Sequence, residues 1–108
     1  MKHIVLWRPK ASTAAAQMGA ALAELDTIAS VPGLLGIRST PNLAIDRPSA
    51  HGYSHCTVFA FDDPEAVSIY RSSPANLAWV DRFLRGPDAI IEDVLSLDIP
   101  AEITELSA

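Results

Sequence analysis

Four residues of this sequence have side chains that could support proton-transfer chemistry, namely His3, His55, Tyr70 and Asn76. An imidazole can accept a proton near neutral pH, and a phenol or an amide can donate a hydrogen bond to a carbonyl oxygen. Such groups in an apolar pocket would suit the removal of a proton beside a carbonyl group. Each residue also has a purely structural interpretation, as a buried neutral ring, a helix-end core residue or a polar residue of a first helical turn.

Other kinds of chemistry find little support in the sequence. Two histidines alone make a poor metal site, and no carboxylate or cysteine is expected on their face of the sheet, so no metal is predicted. No nucleotide-binding glycine motif or nucleophile elbow is present, and no cofactor is predicted. The single cysteine, Cys56, lies among apolar residues and is interpreted as a small buried hydrophobe.

Charge and hydropathy restrict the partners and the location. The formal net charge is −5, and Lys and Arg form no run, which disfavours nucleic acid and anionic membranes as partners. No segment approaches the roughly 20 continuous apolar residues that span a bilayer. Because the sequence shows no targeting segment and its single cysteine cannot form an internal disulfide, we expect a cytoplasmic protein; its apolar pocket is expected to bind a small hydrophobic molecule.

Hydrophobic periodicity and turn residues predict seven elements that would position these side chains. Strands are predicted over residues 2–8, 34–40, 53–61 and 90–99. A helix capped by Ser12 or Thr13 is predicted over 13–29, and two more follow Asp63-Pro64 and Ser73-Pro74, ending near 72 and 84. Residues 41–52 form a long loop that could serve as a lid or an entrance edge.

The order β-α-β-β-α-α-β predicts an α+β ferredoxin-like plait with a four-stranded antiparallel sheet, in one domain over 1–99 with a polar tail over 100–108. The first and third strands are nevertheless expected to be parallel central neighbours, which would place His3 and His55 side by side. Tyr53 is predicted to share the face of His55, and Tyr70 would return to the same level on its helix. These side chains would then converge at one end of an apolar layer.

The two faces of the sheet have different predicted roles. The face toward the helices would form the pocket, with walls from Val5, Trp7, Thr57, Phe59, Trp79 and Phe83. The other face would expose an apolar patch that includes Ile4, Leu6, Cys56 and Val58. Because exposed patches of this kind usually mark interfaces, the sequence predicts a homodimer packed sheet on sheet.

Three stretches together resemble the stress-responsive A/B-barrel, or dimeric α/β-barrel (Dabb), family. They are Lys2–Arg8, Gly52–His55 opening a strand that ends at Phe61, and Tyr70–Asn76. The resemblance implies the same plait, the same dimer and a pocket between helices and sheet.

Members of the olivetolic acid cyclase type close a linear polyketide by aldol condensation without a cofactor, and the resemblance implies that His3, His55 and Tyr70 occupy their pocket positions. Asn76 departs from the family pattern, because the cyclase type has its base histidine there; Ser73 also replaces a common histidine. An amide cannot accept a proton at neutral pH. We therefore expect His55 to be the base, with His3 as the second candidate, and Tyr70 and Asn76 to hold the enolate oxygen.

Two other functions fit the same residues. Asn76, Trp79 and Tyr70 would suit a cofactor-independent or haem-dependent monooxygenase of the dimeric α/β-barrel type. The absence of the base histidine at position 76 would suit a non-catalytic, stress-responsive ligand-binding protein.

Overall fold

Four strands form an antiparallel sheet in the computed structural model, which describes residues 1–28 and 30–104. The strands are β1 (Lys2–Pro9), β2 (Leu34–Pro41), β3 (His55–Phe61) and β4 (Ile91–Ile99). They lie in the order β2-β3-β1-β4. The predicted ferredoxin-like α+β plait is therefore confirmed.

The two central strands, β1 and β3, run antiparallel. His3 pairs with Phe59, and Trp7 pairs with His55. The expectation that these strands are parallel is wrong, because the crossover through the first helix gives β2 the direction of β1 and the β2–β3 connection then reverses the chain. His3 and His55 are consequently four residues apart along the sheet, or about 13 Å at the usual rise per residue.

Three α-helices connect the strands: α1 (Ala15–Leu25), α2 (Pro64–Arg71) and α3 (Pro74–Val80). A π-helix (Asp81–Arg85) continues α3, and short 3-10 turns occupy Pro48–Ala50 and Ala101–Thr104. The starts of α2 and α3 follow the predicted signals. Asp63 accepts a hydrogen bond from the Ala66 amide at 3.0 Å, and Ser73 accepts one from the Asn76 amide at 3.3 Å.

The start of α1 differs from the prediction. Neither Ser12 nor Thr13 caps this helix; Ala14 is the capping residue, and its amide donates to the side chain of Gln17 at 2.7 Å. The Thr13 hydroxyl instead donates to the Ile90 carbonyl at 2.7 Å, which ties the entry of α1 to the approach of β4. The helix ends at Leu25, and the predicted end at residue 29 lies outside the described residues.

The segment before β3 also differs. Tyr53 precedes the strand, and its hydroxyl donates to Asp93 at 2.5 Å, so it does not share the face of His55 as predicted. This hydrogen bond raises the pKa of Tyr53 and lowers the pKa of Asp93. Residues 101–104 of the predicted tail form a turn, and residues 105–108 lie outside the described residues.

The core lies between the sheet and the helices. On β1, His3, Val5 and Trp7 are buried toward the helices, whereas Ile4 and Leu6 are only partly buried on the opposite face. Apolar residues of all three α-helices complete this core, including Met18, Leu22, Val67, Tyr70 and Trp79. The period-two division of β1 that the sequence predicted therefore describes its burial.

The opposite face of the sheet, here called the open face, carries apolar side chains. Its members on β1 and β3 are partly buried and include Ile4, Leu6, Cys56 and Val58. Burial raises the pKa of the Cys56 thiol. Leu95 and Leu97 of β4 pair with Leu6 and Ile4 and are 50% and 45% exposed. The open face is thus a contiguous apolar surface across three strands.

Candidate active site

A cleft of about 160 Å³ lies between the helix-covered face of the sheet and the helices that follow β3. Its lining combines an apolar majority with a few polar side chains: His3, Val5, Trp7, Phe59, Tyr70, Arg71, Asn76, Val80, Leu84, Val94 and Ser96. Pockets for drug-sized ligands measure about 300–1,000 Å³. This cleft is therefore suited to a smaller molecule.

His3 is buried beside the carboxylate of Asp98. Its side chain is oriented by cross-strand pairing with Asp98, and the Nδ1 atom lies 2.5 Å from the Asp98 Oδ1 atom. A carboxylate can only accept, so the neutral imidazole carries its proton on Nδ1 and keeps the lone pair on Nε2. The Phe59 ring, 5.3 Å away between centroids, packs against the imidazole. The expectation that no carboxylate shares this face is wrong.

Tyr70 lines the same cleft, and its hydroxyl has no hydrogen-bond partner among the described residues. The residue is 3% exposed, and its hydroxyl is buried. The rings of Phe59 and Phe61 lie 5.0 and 5.7 Å from its ring, and burial raises the pKa of the phenol. An unsatisfied buried polar group costs about 1–3 kcal/mol. The hydroxyl is therefore available to an oxygen atom of a ligand.

Asn76 lines the cleft from the first turn of α3, but part of its hydrogen-bonding capacity is already used. Its Nδ2 atom donates to the Arg71 carbonyl at 3.0 Å, which closes the connection between α2 and α3. The side chain thus has a structural partner as well as a place in the wall of the cleft.

The π-helix shapes the opposite wall. Val80 and Leu84 line the cleft from the end of α3 and from this wider turn. The turn ends at Gly86, where a β-carbon would come within 2.3 Å of the Asp81 carbonyl oxygen. π-helical turns occur frequently at functional sites, because the extra residue per turn redirects side chains.

His55 does not join His3, Tyr70 and Asn76. It lines a separate cavity of about 210 Å³ beneath α1, and the two cavities share no lining residue. Its Nδ1 atom lies 2.7 Å from the Ser54 hydroxyl, and burial lowers the pKa of the imidazole. The prediction that His3 and His55 converge is wrong, because β1 and β3 run antiparallel and place His55 opposite Trp7.

Val5, Trp7 and Phe59 line the cleft, but the predicted pocket residue Thr57 does not. It is completely buried and accepts a hydrogen bond from the Trp7 indole at 2.8 Å. Its hydroxyl also lies 2.7 Å from that of Ser39, which donates to Asp26 at 2.7 Å. Thr57 therefore belongs to a partly buried chain of hydrogen bonds between the sheet and the end of α1.

Trp79 and Phe83 also lie outside the cleft. Both line the groove between α1 and α3, and the Trp79 indole donates to the Ala21 carbonyl at 2.8 Å. The arrangement of Asn76, Trp79 and Tyr70 around one substrate, which a monooxygenase would need here, is not formed.

The contribution of β4 to the site was not predicted from the sequence. Val94, Ser96 and Asp98 alternate along this strand and pair with Trp7, Val5 and His3. A period-two division of residues 90–99, applied as it was to β1, would have placed these three side chains on one face.

The described residues, 1–28 and 30–104, contain no group of three or more His, Cys, Asp or Glu side chains arranged to hold a metal ion. No helix in this part of the chain has the length and apolar character needed to cross a membrane.

Comparison with known proteins identifies similar folds. The family model of the stress responsive A/B barrel domain matches residues 1–101 of the sequence. A protein of Arabidopsis thaliana is similar in structure with a TM-score of 0.78, 20% identity and 92% coverage of both chains. A dimeric ferredoxin-like protein from Jannaschia has a TM-score of 0.64 and 26% identity, covering 91% of this chain and 97% of that one. A hydroxynitrile lyase from Passiflora edulis has a TM-score of 0.66, 24% identity and 93% coverage of both chains. No curated protein matches the sequence.

Proposed function

The chain belongs to the stress responsive A/B barrel domain family, and we propose that its cleft is the active site of a cofactor-free lyase or cyclase for a small carbonyl compound. One observation carries the proposal: the Asp98-bonded imidazole of His3 lines the same apolar cleft as Tyr70, whose hydroxyl has no hydrogen-bond partner among the described residues. One group can accept a proton and the other can stabilise a developing oxyanion. Together they are sufficient for aldol-type chemistry.

In the cleavage direction, His3 Nε2 takes the hydroxyl proton of a β-hydroxy carbonyl substrate. The bond between the α- and β-carbons breaks, a new carbonyl group forms at the β-carbon, and the electron pair moves to the enolate oxygen. The Tyr70 hydroxyl donates a hydrogen bond to that oxygen, while Asp98 stabilises the imidazolium. His3 then returns the proton to the α-carbon. The reverse sequence is an aldol addition, which within one molecule is a cyclisation.

This proposal assigns the base to His3 and not to His55, the first choice from the sequence. His55 is too far along the sheet and lines a different cavity. Asn76 remains as a second donor near Tyr70, although its amide already donates to Arg71. The volume of the cleft favours a small substrate. The similarity to a hydroxynitrile lyase supports the view that this fold can accommodate a lyase site.

We also propose that the protein is a homodimer joined through the open face. The apolar side chains of β1, β3 and β4 would be covered by the same face of a second copy. Similar structures include proteins described as dimeric. The cleft lies on the opposite side of the sheet, so each protomer would have its own.

A non-catalytic ligand-binding protein is the second candidate. The observation that favours it is the hydrogen bond of Asn76 to the Arg71 carbonyl, at the position where the family's cyclase type has its base. In this function the cleft would bind a small carbonyl compound without changing it.

Exchange of the α-protons of acetophenone in deuterium oxide tests the proposal directly, because this ketone is small and exchange requires only the base and the oxyanion donor. We expect the wild-type protein to catalyse exchange and to cleave a small β-hydroxy ketone. His3→Gln should lower the rate by about 10²–10⁴-fold. His51→Gln, in the exposed loop, is the control.

The outcomes separate the two functions. Saturable binding of acetophenone at the cleft without any exchange or cleavage would contradict the enzymatic function and support the binding function. An equal loss of activity in His55→Gln and His3→Gln would contradict the assignment of the base.

A further inference from the structure

The cavity beneath α1 is an open pocket at the surface that the proposed lyase does not use. It has a volume of about 210 Å³ and lies between α1 and the neighbouring ends of β2 and β3. Gly19, Leu22 and Ala23 form its apolar side, and Asp26 and His55 are the ionisable residues in its wall. It is therefore a small space with one apolar and one polar side.

The charge in this cavity is a carboxylate held in a defined position. Asp26 accepts hydrogen bonds from the amide and the hydroxyl of Ser39, at 3.2 and 2.7 Å. Ser39 is itself fixed by the buried Thr57. A carboxylate offers about four acceptor positions, so roughly half remain free. Among the described residues, no Lys or Arg forms an ion pair with Asp26 or lines the cavity.

The second ionisable group, His55, can also act as an acceptor. His55 Nδ1 lies 2.7 Å from the Ser54 hydroxyl, and burial lowers the pKa of this imidazole, so the ring is neutral near pH 7. The Ser54 hydroxyl can accept the Nδ1 proton, and in that tautomer Nε2 is an acceptor. The hydroxyl of Thr40 is directed to the Pro41 carbonyl at 3.3 Å. The cavity thus presents acceptors and a negative charge, and its lining residues include neither Lys nor Arg.

From these contacts we propose that the cavity beneath α1 is a second ligand site, and that it binds a small primary amine with an apolar body. An ammonium group has three donors and no acceptor, which matches the carboxylate of Asp26 and the imidazole of His55. The apolar body would lie against Leu22 and Ala23. This site is independent of the proposed lyase, because it shares no residue with the cleft.

Titration of the full chain with benzylamine near neutral pH tests the proposal. Nitrogen-15 NMR locates the bound amine, and calorimetry measures its affinity. We expect saturable shifts at residues 19–26, 39, 40 and 55, with a smaller effect at His3 and Tyr70. Asp26→Asn retains an acceptor for Ser39 but removes the charge, and it should weaken binding by about tenfold or more. Benzyl alcohol, the uncharged analogue, should bind more weakly by a similar factor.

A cavity-filling variant keeps the test decisive if Asp26→Asn does not fold. A β-carbon at Gly19 would meet nothing within 4 Å, so Gly19→Leu can enter the cavity without a steric clash at its first carbon. We expect Gly19→Leu to abolish benzylamine binding and Gly19→Ala to retain it. Shifts centred on the cleft, equal affinity for benzyl alcohol, or unchanged binding in Gly19→Leu would each overturn the proposal.

Discussion

His3 and Asp98 lie directly opposite each other on the neighbouring strands β1 and β4, and the Nδ1 atom of His3 is 2.5 Å from a carboxylate oxygen of Asp98. The backbone register brings these two residues together although they are 95 positions apart in sequence. Because the two strands are hydrogen-bonded along their length, the pair is held by the sheet and not by a loop. This contact favours the tautomer of the buried imidazole that carries its proton on Nδ1.

Replacement of Asp98 by Asn should lower kcat by about tenfold or more, but by less than the roughly 10⁴-fold seen for a buried triad aspartate. The effect should be smaller because the Asp98 side chain is 43% exposed. Asp98 is a positioning residue, so KM should change little. Steady-state kinetics provide the measurement, with Asp88→Asn as an exposed control and Asp98→Glu as a partial rescue. A change confined to KM would argue against this role.

Replacement of Tyr70 by Phe should affect activity and stability in opposite directions. Loss of the oxyanion donor should lower kcat by about 10²–10³-fold. Loss of a buried, unpartnered hydroxyl should leave the free energy of unfolding unchanged or raise it by about 1 kcal/mol. Tyr53→Phe is the matched control, because its hydroxyl donates to Asp93 and its loss should lower stability without affecting kcat. Parallel losses of activity and stability in Tyr70→Phe would indicate a structural role only.

Replacement of Thr57 by Val should lower the free energy of unfolding by about 1–3 kcal/mol, since the change retains the shape and removes a buried hydroxyl with two hydrogen-bond partners. The Trp7 indole would lose its acceptor and Ser39 one partner. Urea denaturation measures this difference. Thr40→Val, at an exposed position, should change stability by less than about 0.5 kcal/mol.

Replacement of Leu95 by Asp should convert the proposed dimer to a monomer, because a charge would be buried in the centre of an apolar interface. Sedimentation velocity at several concentrations measures the mass. Leu77→Asp is a closely matched control, since Leu77 is 46% exposed and Leu95 is 50% exposed, but Leu77 lies on α3. A wild-type protein that is already monomeric in dilute solution would contradict the proposed dimer.

The stability of the protein should fall as the pH drops below about 6.5, in part because of His55. Burial lowers the pKa of His55 in the folded chain, so in this range the unfolded chain binds the additional proton. His55→Gln should therefore lose less stability between neutral and mildly acidic pH than the wild type. The exposed His51→Gln variant should follow the wild type. Urea titrations at both pH values test the difference, and identical slopes for all three proteins would contradict it.

Local patterns in the sequence determined much of the fold. Alternation along β1 predicted the buried side chains of His3, Val5 and Trp7, and Asp63 and Ser73 predicted the starts of α2 and α3. These features depend on neighbours within a few residues, through the pleat of a strand or the free amides of a first helical turn. The same information was sufficient for the order of elements and hence for the plait.

Only the tertiary structure decided which polar groups meet. The direction of β3 separates His55 from His3, and the register of β4 places Asp98 beside His3. Thr13 resembles a cap in the sequence but bonds to Ile90, a residue far along the chain. Strand direction and register depend on how the whole chain turns back upon itself, and no local period carries that information.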